Sequence, residues 1–439
     1  MARHIFPQPP QPRVSDLHTY READEPNAFF SESKALLATV LFTLLAAAPT
    51  LFSGCEDKNP FGLATCGDGV CHSSDPYVCP QDCGGIQITT GGEHTCTVKM
   101  SDGTVWCWGL NSYGQLGDGT LESASTPHSV TFGESVDAVF AGDNHTCALL
   151  TQERKVRCWG KNDSGQLGNG TTTDSATPVD VVGLDDVLLL SVGGAHTCAL
   201  RDDGSVWCWG WNAYGQLGYD MGTVSETPQQ VHGVDDVVRL SAGRVHTCAL
   251  LRAGNVVCWG WNEFGQLGRD PSTPWSSEPH PVRGAARIQS LSSGSHHTCA
   301  VRDDGKVLCW GENDYGQLGH NLGAQSSQPI SVEGLSRMRT VSSGRTHTCA
   351  LKKDGSVWCW GGNASGQTGS GDDDFETTYE PVEVSRITGV SYVASGGYHT
   401  CAVEETGSLW CWGFNRVGQL GDNSVENRFT PVRVVGLGL

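Results

Sequence analysis

The stretch HTCALRDDGSVWCWG, residues 196–210, sets two cysteines on either side of an Asp-Asp-Gly turn. Seven His-Thr-Cys tripeptides recur at a spacing of 50 to 52 residues, and a Cys-Trp-Gly follows each of them. The histidines that open the seven copies are His94, His145, His196, His246, His297, His347 and His399. A fixed period of this length indicates a repeat architecture.

One repeat, residues 177–218, contains four short β-type runs: PVDVV, VLLLSV, HTCAL and SVWCW. Glycine- and aspartate-rich turns separate them, which is typical of antiparallel strands. The sequence therefore predicts an all-β protein, a seven-bladed β-propeller of four-stranded antiparallel blades over residues 85–439. The first repeat lacks the leading Thr-Pro-Val run, and a spare one follows Thr430. We expect that last strand to complete the first blade and so close the ring.

The hairpin register explains the paired cysteines. A loop of Asp202, Asp203 and Gly204 places Cys198 opposite Cys208, about 4.5–5.5 Å apart at Cα and within disulfide range. The predicted disulfides are Cys96–Cys107, Cys147–Cys158, Cys198–Cys208, Cys248–Cys258, Cys299–Cys309, Cys349–Cys359 and Cys401–Cys411. The alternative is that these thiols stay reduced and pack as small apolar side chains. Zinc is not predicted, because two cysteines on one hairpin lack a convergent third and fourth ligand.

Charge and cysteine content restrict partners and compartment. The formal net charge is −20, and this disfavours nucleic acid and anionic membrane surfaces because both repel an acidic protein. The chain has 19 cysteines, and their paired arrangement is typical of a protein exported to an oxidising compartment.

The N-terminal region predicts export. An apolar run over residues 35–52 precedes LFSGC, which resembles a bacterial lipobox in which Cys55 is lipidated. Residues 1–55 are therefore interpreted as the export segment of a cell-envelope lipoprotein, followed by a linker over residues 56–65. An ordinary cleaved signal peptide and an uncleaved membrane anchor are the alternatives.

A small cysteine-rich module is predicted over residues 66–84. Four cysteines imply two disulfides with three possible connectivities. They are Cys66, Cys71, Cys79 and Cys83. Three aspartates, Asp68, Asp75 and Asp82, offer weak calcium ligands as an alternative to a plain disulfide knot.

The repeat pattern G-x-x-H-T-x-A-L-x-x-D-G-x-V-x-x-W-G-x-N-x-x-G-Q-L-G resembles the regulator-of-chromosome-condensation repeat and covers residues 85–439. The resemblance implies a seven-bladed propeller. It also implies more than one possible role. The eukaryotic namesake is a nucleotide-exchange factor for a nuclear GTPase. Secreted bacterial members include an inhibitor that clamps β-lactamases with one propeller face. A fold does not by itself determine which of these roles applies.

The residues common to all repeats are predicted to be structural. A seven-fold ring would spread the histidines apart, so we expect each to hydrogen bond within its own blade and not to bind metal. The Gly-Gln-Leu-Gly loops lack the Lys-Ser/Thr of a phosphate loop. No cofactor is predicted.

Function is predicted where the repeats differ. The loop before each histidine and the loop after each Cys-Trp-Gly emerge on one face, with aromatic residues and arginines typical of a binding hot spot. These are Trp211, Tyr214, Arg244, Trp261, Phe264, Tyr315, Arg345, Tyr398 and Phe414, with Arg244 expected between the two tryptophans. The alternative is that the rings pack between blades.

Two loops depart from the repeat. Residues 269–281 are proline-stiffened, and Trp275 is expected to be exposed. Residues 370–380 concentrate Asp372, Asp373, Asp374 and Glu376. A solvated acidic loop is favoured there over a calcium site.

Together these features predict an exported, lipid-anchored, monomeric propeller that is not an enzyme. Its aromatic face is expected to bind a protein or a polymer of the bacterial cell envelope. The alternatives are a polysaccharide-active envelope enzyme and, by family analogy, a guanine-nucleotide exchange factor.

Overall fold

The structure, a computed structural model, describes residues 85–437 except 153, 221, 322 and 372–376. The predicted export segment with Cys55, the predicted linker and the predicted cysteine-rich module with its calcium candidates lie outside the described residues. So do the acidic side chains Asp372, Asp373, Asp374 and Glu376.

The described chain forms seven four-stranded antiparallel sheets, each built from consecutive strands. Blade 1 comprises β1 (Ile86–Thr90), β2 (His94–Lys99), β3 (Thr104–Gly109) and β4 (Ala124–Val130), and blade 2 comprises β5 (Val136–Ala141), β6 (His145–Leu150), β7 (Val156–Gly160) and β8 (Ser175–Asp180). Blade 3 comprises β9 (Val187–Val192), β10 (His196–Arg201), β11 (Val206–Trp211) and β12 (Val224–Val231), and blade 4 comprises β13 (Val237–Ala242), β14 (His246–Leu251), β15 (Val256–Trp261) and β16 (Trp275–Pro281). Blade 5 comprises β17 (Ile288–Ser293), β18 (His297–Arg302), β19 (Val307–Glu312) and β20 (Gln325–Ser331), and blade 6 comprises β21 (Met338–Ser343), β22 (His347–Lys352), β23 (Val357–Gly362) and β24 (Thr377–Glu383). Blade 7 comprises β25 (Val390–Ser395), β26 (His399–Glu404), β27 (Leu409–Gly413) and β28 (Arg428–Arg433). The prediction of a seven-bladed all-β propeller is confirmed.

The hydrophobic core lies between neighbouring blades. We call the four strands of a blade A to D in chain order. Strand B, for example β10, is buried along almost its whole length, whereas strand D, for example β8, is half-buried to exposed. Trp209 of blade 3 is fully buried in a cluster with Leu149 and Val156 of blade 2. Truncating such a ring costs about 3–5 kcal/mol, so these shared clusters hold the blades together.

The predicted exchange of the last strand is wrong. β28 pairs with β27 and is the outer strand of blade 7, while blade 1 has its own outer strand, β4. Each Thr-Pro segment therefore belongs to the blade before it. The ring closes through side chains instead: Ile88 and Trp108 of blade 1 pack with Cys401 and Leu409 of blade 7. A repeat period alone does not show where along the period a blade begins.

The seven predicted disulfides are confirmed. Cys198 pairs directly with Cys208 in the register of β10 and β11, with their Cα atoms 4.1 Å apart. The other six pairs are bonded in the same way, with Cα separations of 4.0 to 4.1 Å. Gly204 closes the hairpin at a φ of 83°, a conformation that glycine adopts without steric cost.

Candidate functional site

The repeated histidines join neighbouring blades. His196 Nε2 lies 2.9 Å from Thr247 Oγ1 of the next blade, and His399 of blade 7 closes the ring on Thr95 of blade 1 at 2.9 Å. The other five pairs are His94–Thr146, His145–Thr197, His246–Thr298, His297–Thr348 and His347–Thr400. The predicted partner was wrong, because the hydrogen bond crosses the blade boundary instead of remaining within one blade.

The hydrogen-bond directions show which ring nitrogen carries a proton, and burial then shows that the ring is neutral. Thr247 Oγ1 donates to the Gln216 carbonyl at 2.9 Å, and that carbonyl also accepts from Trp259 Nε1 at 2.9 Å. A hydroxyl has one hydrogen, so His196 Nε2 must donate to Thr247. Burial lowers the pKa of His196 to about 4. At neutral pH the ring is therefore a neutral hydrogen-bond donor, and it is not an exposed acid or base.

A glycine before each histidine makes this packing possible. A side chain on Gly243 would collide with the His246 ring, and its Cβ would lie 2.5 Å from the carbonyl oxygen of Gly294. Such contacts require the backbone to move, so only glycine fits this position.

The Gly-Gln-Leu-Gly loops are held by buried amide side chains. Asn262 Oδ1 accepts a hydrogen bond from Leu267 N at 3.1 Å, and Gln266 Oε1 accepts from Phe264 N at 3.1 Å. These bonds satisfy backbone N–H groups of the loop. They also hold Phe264 at the edge of its blade. The predicted structural role of this loop is confirmed.

Aromatic side chains converge on one arc of the face formed by the A–B and C–D loops. We call Trp211, Tyr214, Trp261, Phe264 and His296 the aromatic rim. Ring centroids are 5.4 Å apart for Trp211–Tyr214, 5.7 Å for Tyr214–Trp261 and 5.4 Å for Trp261–Phe264. All five side chains are half-buried. The structure thus brings together the four aromatic residues that the sequence singled out on blades 3 and 4, and they contact one another across a blade boundary.

His296 is the member of the rim that sequence reasoning missed. Its ring lies 4.8 Å from that of Trp261 and stacks on Phe264 at 5.4 Å, and its Nδ1 lies 3.1 Å from Glu312 Oε2. The available signal was the doubled histidine before Thr298, which places a second imidazole in the A–B loop of blade 5.

Exposed apolar side chains extend the aromatic rim outward. Trp211 and Trp261 are the last residues of their C strands and pair with Val224 and Trp275, the first residues of the D strands. Val224 is 41% exposed, Trp275 46% and Tyr315 of blade 5 47%. The predicted exposure of Trp275 is confirmed. Exposed large apolar side chains gathered on one face mark interaction sites in proteins.

The two arginines lie near the mouth of the central channel. Arg244 Nε is 3.1 Å from Asp143 Oδ2, and an Arg345 guanidinium nitrogen is 3.4 Å from Asp143 Oδ1. The guanidinium of Arg345 also lies 5.1 Å above the Tyr398 ring, which contacts Phe414 at 6.4 Å. The sequence predicted that Arg244 lies between the two tryptophans. The structure instead pairs it with Asp143 of blade 2, so that prediction is wrong.

Across residues 85–437, outside the gaps, no group of three or more His, Cys, Asp and Glu side chains is arranged to hold a metal ion. The same residues include no helix long and apolar enough to cross a membrane.

Comparison with known proteins identifies the family. The family model described as the RCC1-like domain matches residues 51–389 and 214–438. The chain belongs to this family. It is 32% identical over 355 residues to the ultraviolet-B receptor UVR8 of Arabidopsis thaliana, covering 80% of this chain and 58% of UVR8.

Two solved structures are similar to this chain as well. Prp20p of Saccharomyces cerevisiae, described with its binding properties to Gsp1p and histones, has a TM-score of 0.68 at 25% identity over 76% of this chain and 86% of its own. Human WBSCR16 has a TM-score of 0.69 at 25% identity over 76% of this chain and 94% of its own. These RCC1-like propellers share the ring of blades.

Proposed function

We propose that this RCC1-like propeller is an exported, lipid-anchored binding protein of the bacterial envelope, without enzymatic activity, that holds a protein partner on its aromatic rim. The observation that carries the proposal is the continuous set of ring contacts from Trp211 to His296, flanked by exposed Trp275 and Tyr315. Aromatic side chains that are pre-packed against each other lose little conformational freedom on binding, which favours affinity.

The buried histidine–threonine hydrogen bonds between neighbouring blades, here called the joints, support a binding role over catalysis. The histidines that recur in every blade are fully buried and bonded to threonines, so they cannot reach a substrate. Prp20p is known with Gsp1p and histones as protein partners, which supports a protein ligand for this chain. We therefore favour a protein partner over an envelope polysaccharide.

The test is capture of a partner by the full chain, followed by substitution at the rim. Trp211→Ala or Trp261→Ala is expected to cost about 2–4 kcal/mol of binding free energy, as for a buried aromatic anchor. Surface plasmon resonance with the captured partner measures this loss, and thermal unfolding of each variant shows that the fold is intact. Lys161→Ala, at the equivalent position of blade 2, is the matched control.

Three outcomes would contradict the proposal. Both tryptophan variants could bind the partner as tightly as the native chain, or they could unfold, which would assign the rings to the core. Binding of an envelope polysaccharide, lost in the same variants, would replace the protein partner. The anchor is tested separately: Cys55→Ser should release the protein from the membrane fraction, and unchanged fractionation would refute lipidation.

A further inference from the structure

The repeats themselves show how this face of the propeller holds a cation. At the boundary of blades 1 and 2, Lys161 Nζ lies 5.1 Å from the centroid of the Tyr113 ring and 2.9 Å from Asp163 Oδ2. The ring comes from the C–D loop of one blade, and the lysine and carboxylate come from the next. We call this arrangement of a ring and a carboxylate around a positive charge the ring–carboxylate site.

On blades 3 to 5 the ring and the carboxylate recur without the lysine. Tyr214 and Glu263 occupy the positions of Tyr113 and Asp163 at the boundary of blades 3 and 4, with Trp261 at the position of Lys161. Phe264 and Asp314 do so at the next boundary, where Glu312 occupies the lysine position. The internal cation has therefore been replaced by an indole in one site and by a second carboxylate in the other.

The two carboxylates at these sites are exposed. Among the described residues, the ion pairs include neither Glu263 nor Asp314. The histidine on this arc, His296, is bonded to Glu312, and Arg244 is held by Asp143. The arc thus combines electron-rich ring faces with negative charge, on a chain whose formal net charge is −20. Positive groups are attracted both by aromatic faces and by carboxylates.

We propose that the protein partner presents a lysine or arginine side chain to this arc, where the cation lies against the edge of the packed rings and beside an exposed carboxylate. The inference rests on the proposed function of the aromatic rim and names the chemistry of the partner segment: basic, with its charged group seated between the rings and Glu263 or Asp314. Methylene stems of lysine and arginine would lie along the exposed apolar surface around Trp275 and Tyr315.

The experiment titrates the full chain with a short peptide that carries lysines separated by glycine and serine. Isothermal titration calorimetry compares it with the same peptide acetylated on every lysine, which removes the charge and leaves the length. The double variant Glu263→Gln, Asp314→Asn removes both carboxylates while keeping side-chain size. The matched control is Asp185→Asn, Asp235→Asn, because both residues are exposed on the opposite face and the change in net charge is the same.

The native chain should bind the lysine peptide and not the acetylated one. The rim double variant should bind it about tenfold more weakly, the scale of two exposed ion-pair contacts, while the control changes the affinity by less than about twofold. Equal losses in both double variants, or equal binding of both peptides, would overturn the inference.

Failure of this inference and failure of the proposed function give different results. If a captured partner needs Trp261 but binds the rim double variant as tightly as the native chain, the rim is the binding face and the basic segment is wrong. If the captured partner binds the Trp211→Ala and Trp261→Ala chains normally, the proposed function is wrong, whatever the lysine peptide does.

Discussion

The joints between blades and the aromatic rim are built from the same repeats. The joints use the same residues in every blade, whereas the residues at the rim position change from blade to blade. Every joint uses the same histidine and threonine, with Nε2–Oγ1 distances of 2.8 to 3.0 Å. The residue after Cys-Trp-Gly differs in almost every blade: Leu110, Lys161, Trp211, Trp261, Glu312, Gly362 and Phe414. A position that accepts glycine, lysine and tryptophan is not required for the fold, so its aromatic content on blades 3 and 4 points to binding.

Acid should break all seven joints and leave the charge of the tryptophan, tyrosine and phenylalanine rings of the rim unchanged. Burial lowers the pKa of the joint histidines, to about 4 for His94 and His196 and to about 3 for His145, His297, His347 and His399. Above pH about 6.5 both folded and unfolded chains carry neutral imidazoles, so stability is complete. As the pH falls from about 6.5 towards 4, only the unfolded chain binds protons. Each joint histidine then removes about 1.4 kcal/mol of unfolding free energy per pH unit.

Urea unfolding followed by tryptophan fluorescence at each pH measures this loss. Replacing one joint residue, His246→Gln, should reduce the slope by about one proton. His232→Gln, at an exposed position, is the surface control. A stability that stays constant between pH 7 and 5 would contradict neutral joint histidines.

Adding a methyl group at one joint should lower the unfolding free energy more than adding a larger side chain at a hairpin turn. Gly243→Ala pushes a Cβ against the His246 ring and the Gly294 carbonyl, and we expect a loss of about 3 kcal/mol in unfolding free energy. Gly204→Asn is the control, because no atom lies within 4 Å of its added Cβ and asparagine tolerates a positive φ. Chemical denaturation compares the two, and similar stabilities would show that the joint can expand.

Each hairpin disulfide should contribute somewhat less to the unfolding free energy than the glycine at a joint. Cys198→Ser with Cys208→Ser removes one bridge that spans 10 positions of sequence, and should lower the unfolding free energy by roughly 2–3 kcal/mol. Partner binding at the rim should persist wherever the variant stays folded. Intact mass after alkylation in denaturant without reductant tests the bridges directly, since any modified cysteine among the fourteen in the blades would refute full oxidation.

The smallest effect is expected at Lys161. Its contacts with Tyr113 and Asp163 lie at the surface, where such pairs contribute less than about 1 kcal/mol. Lys161→Ala should therefore change thermal stability little and leave partner binding on blades 3 to 5 intact. A large loss of binding would extend the functional surface to blade 2.

Sequence reasoning located the aromatic cluster but not all of its contacts. It placed Trp211, Tyr214, Trp261 and Phe264 on one face, because strand direction determines the end of the blade at which a loop emerges. It missed His296 and misplaced Arg244, whose partner Asp143 is 101 residues away. Contacts of that kind depend on how blades are inclined around the channel, and no spacing in the sequence encodes the angle.

The sequence by itself determined the number of blades, the hairpin register and all seven disulfides, because each depends on spacings of about ten residues or on a simple period. Tertiary structure alone decided that β28 belongs to blade 7 and that each histidine bonds to the threonine of the next blade. The physical reason is the separation along the sequence of the residues that come into contact. A tight turn constrains its two strands directly, whereas a contact between blades forms only after the ring has brought together residues about 50 positions apart.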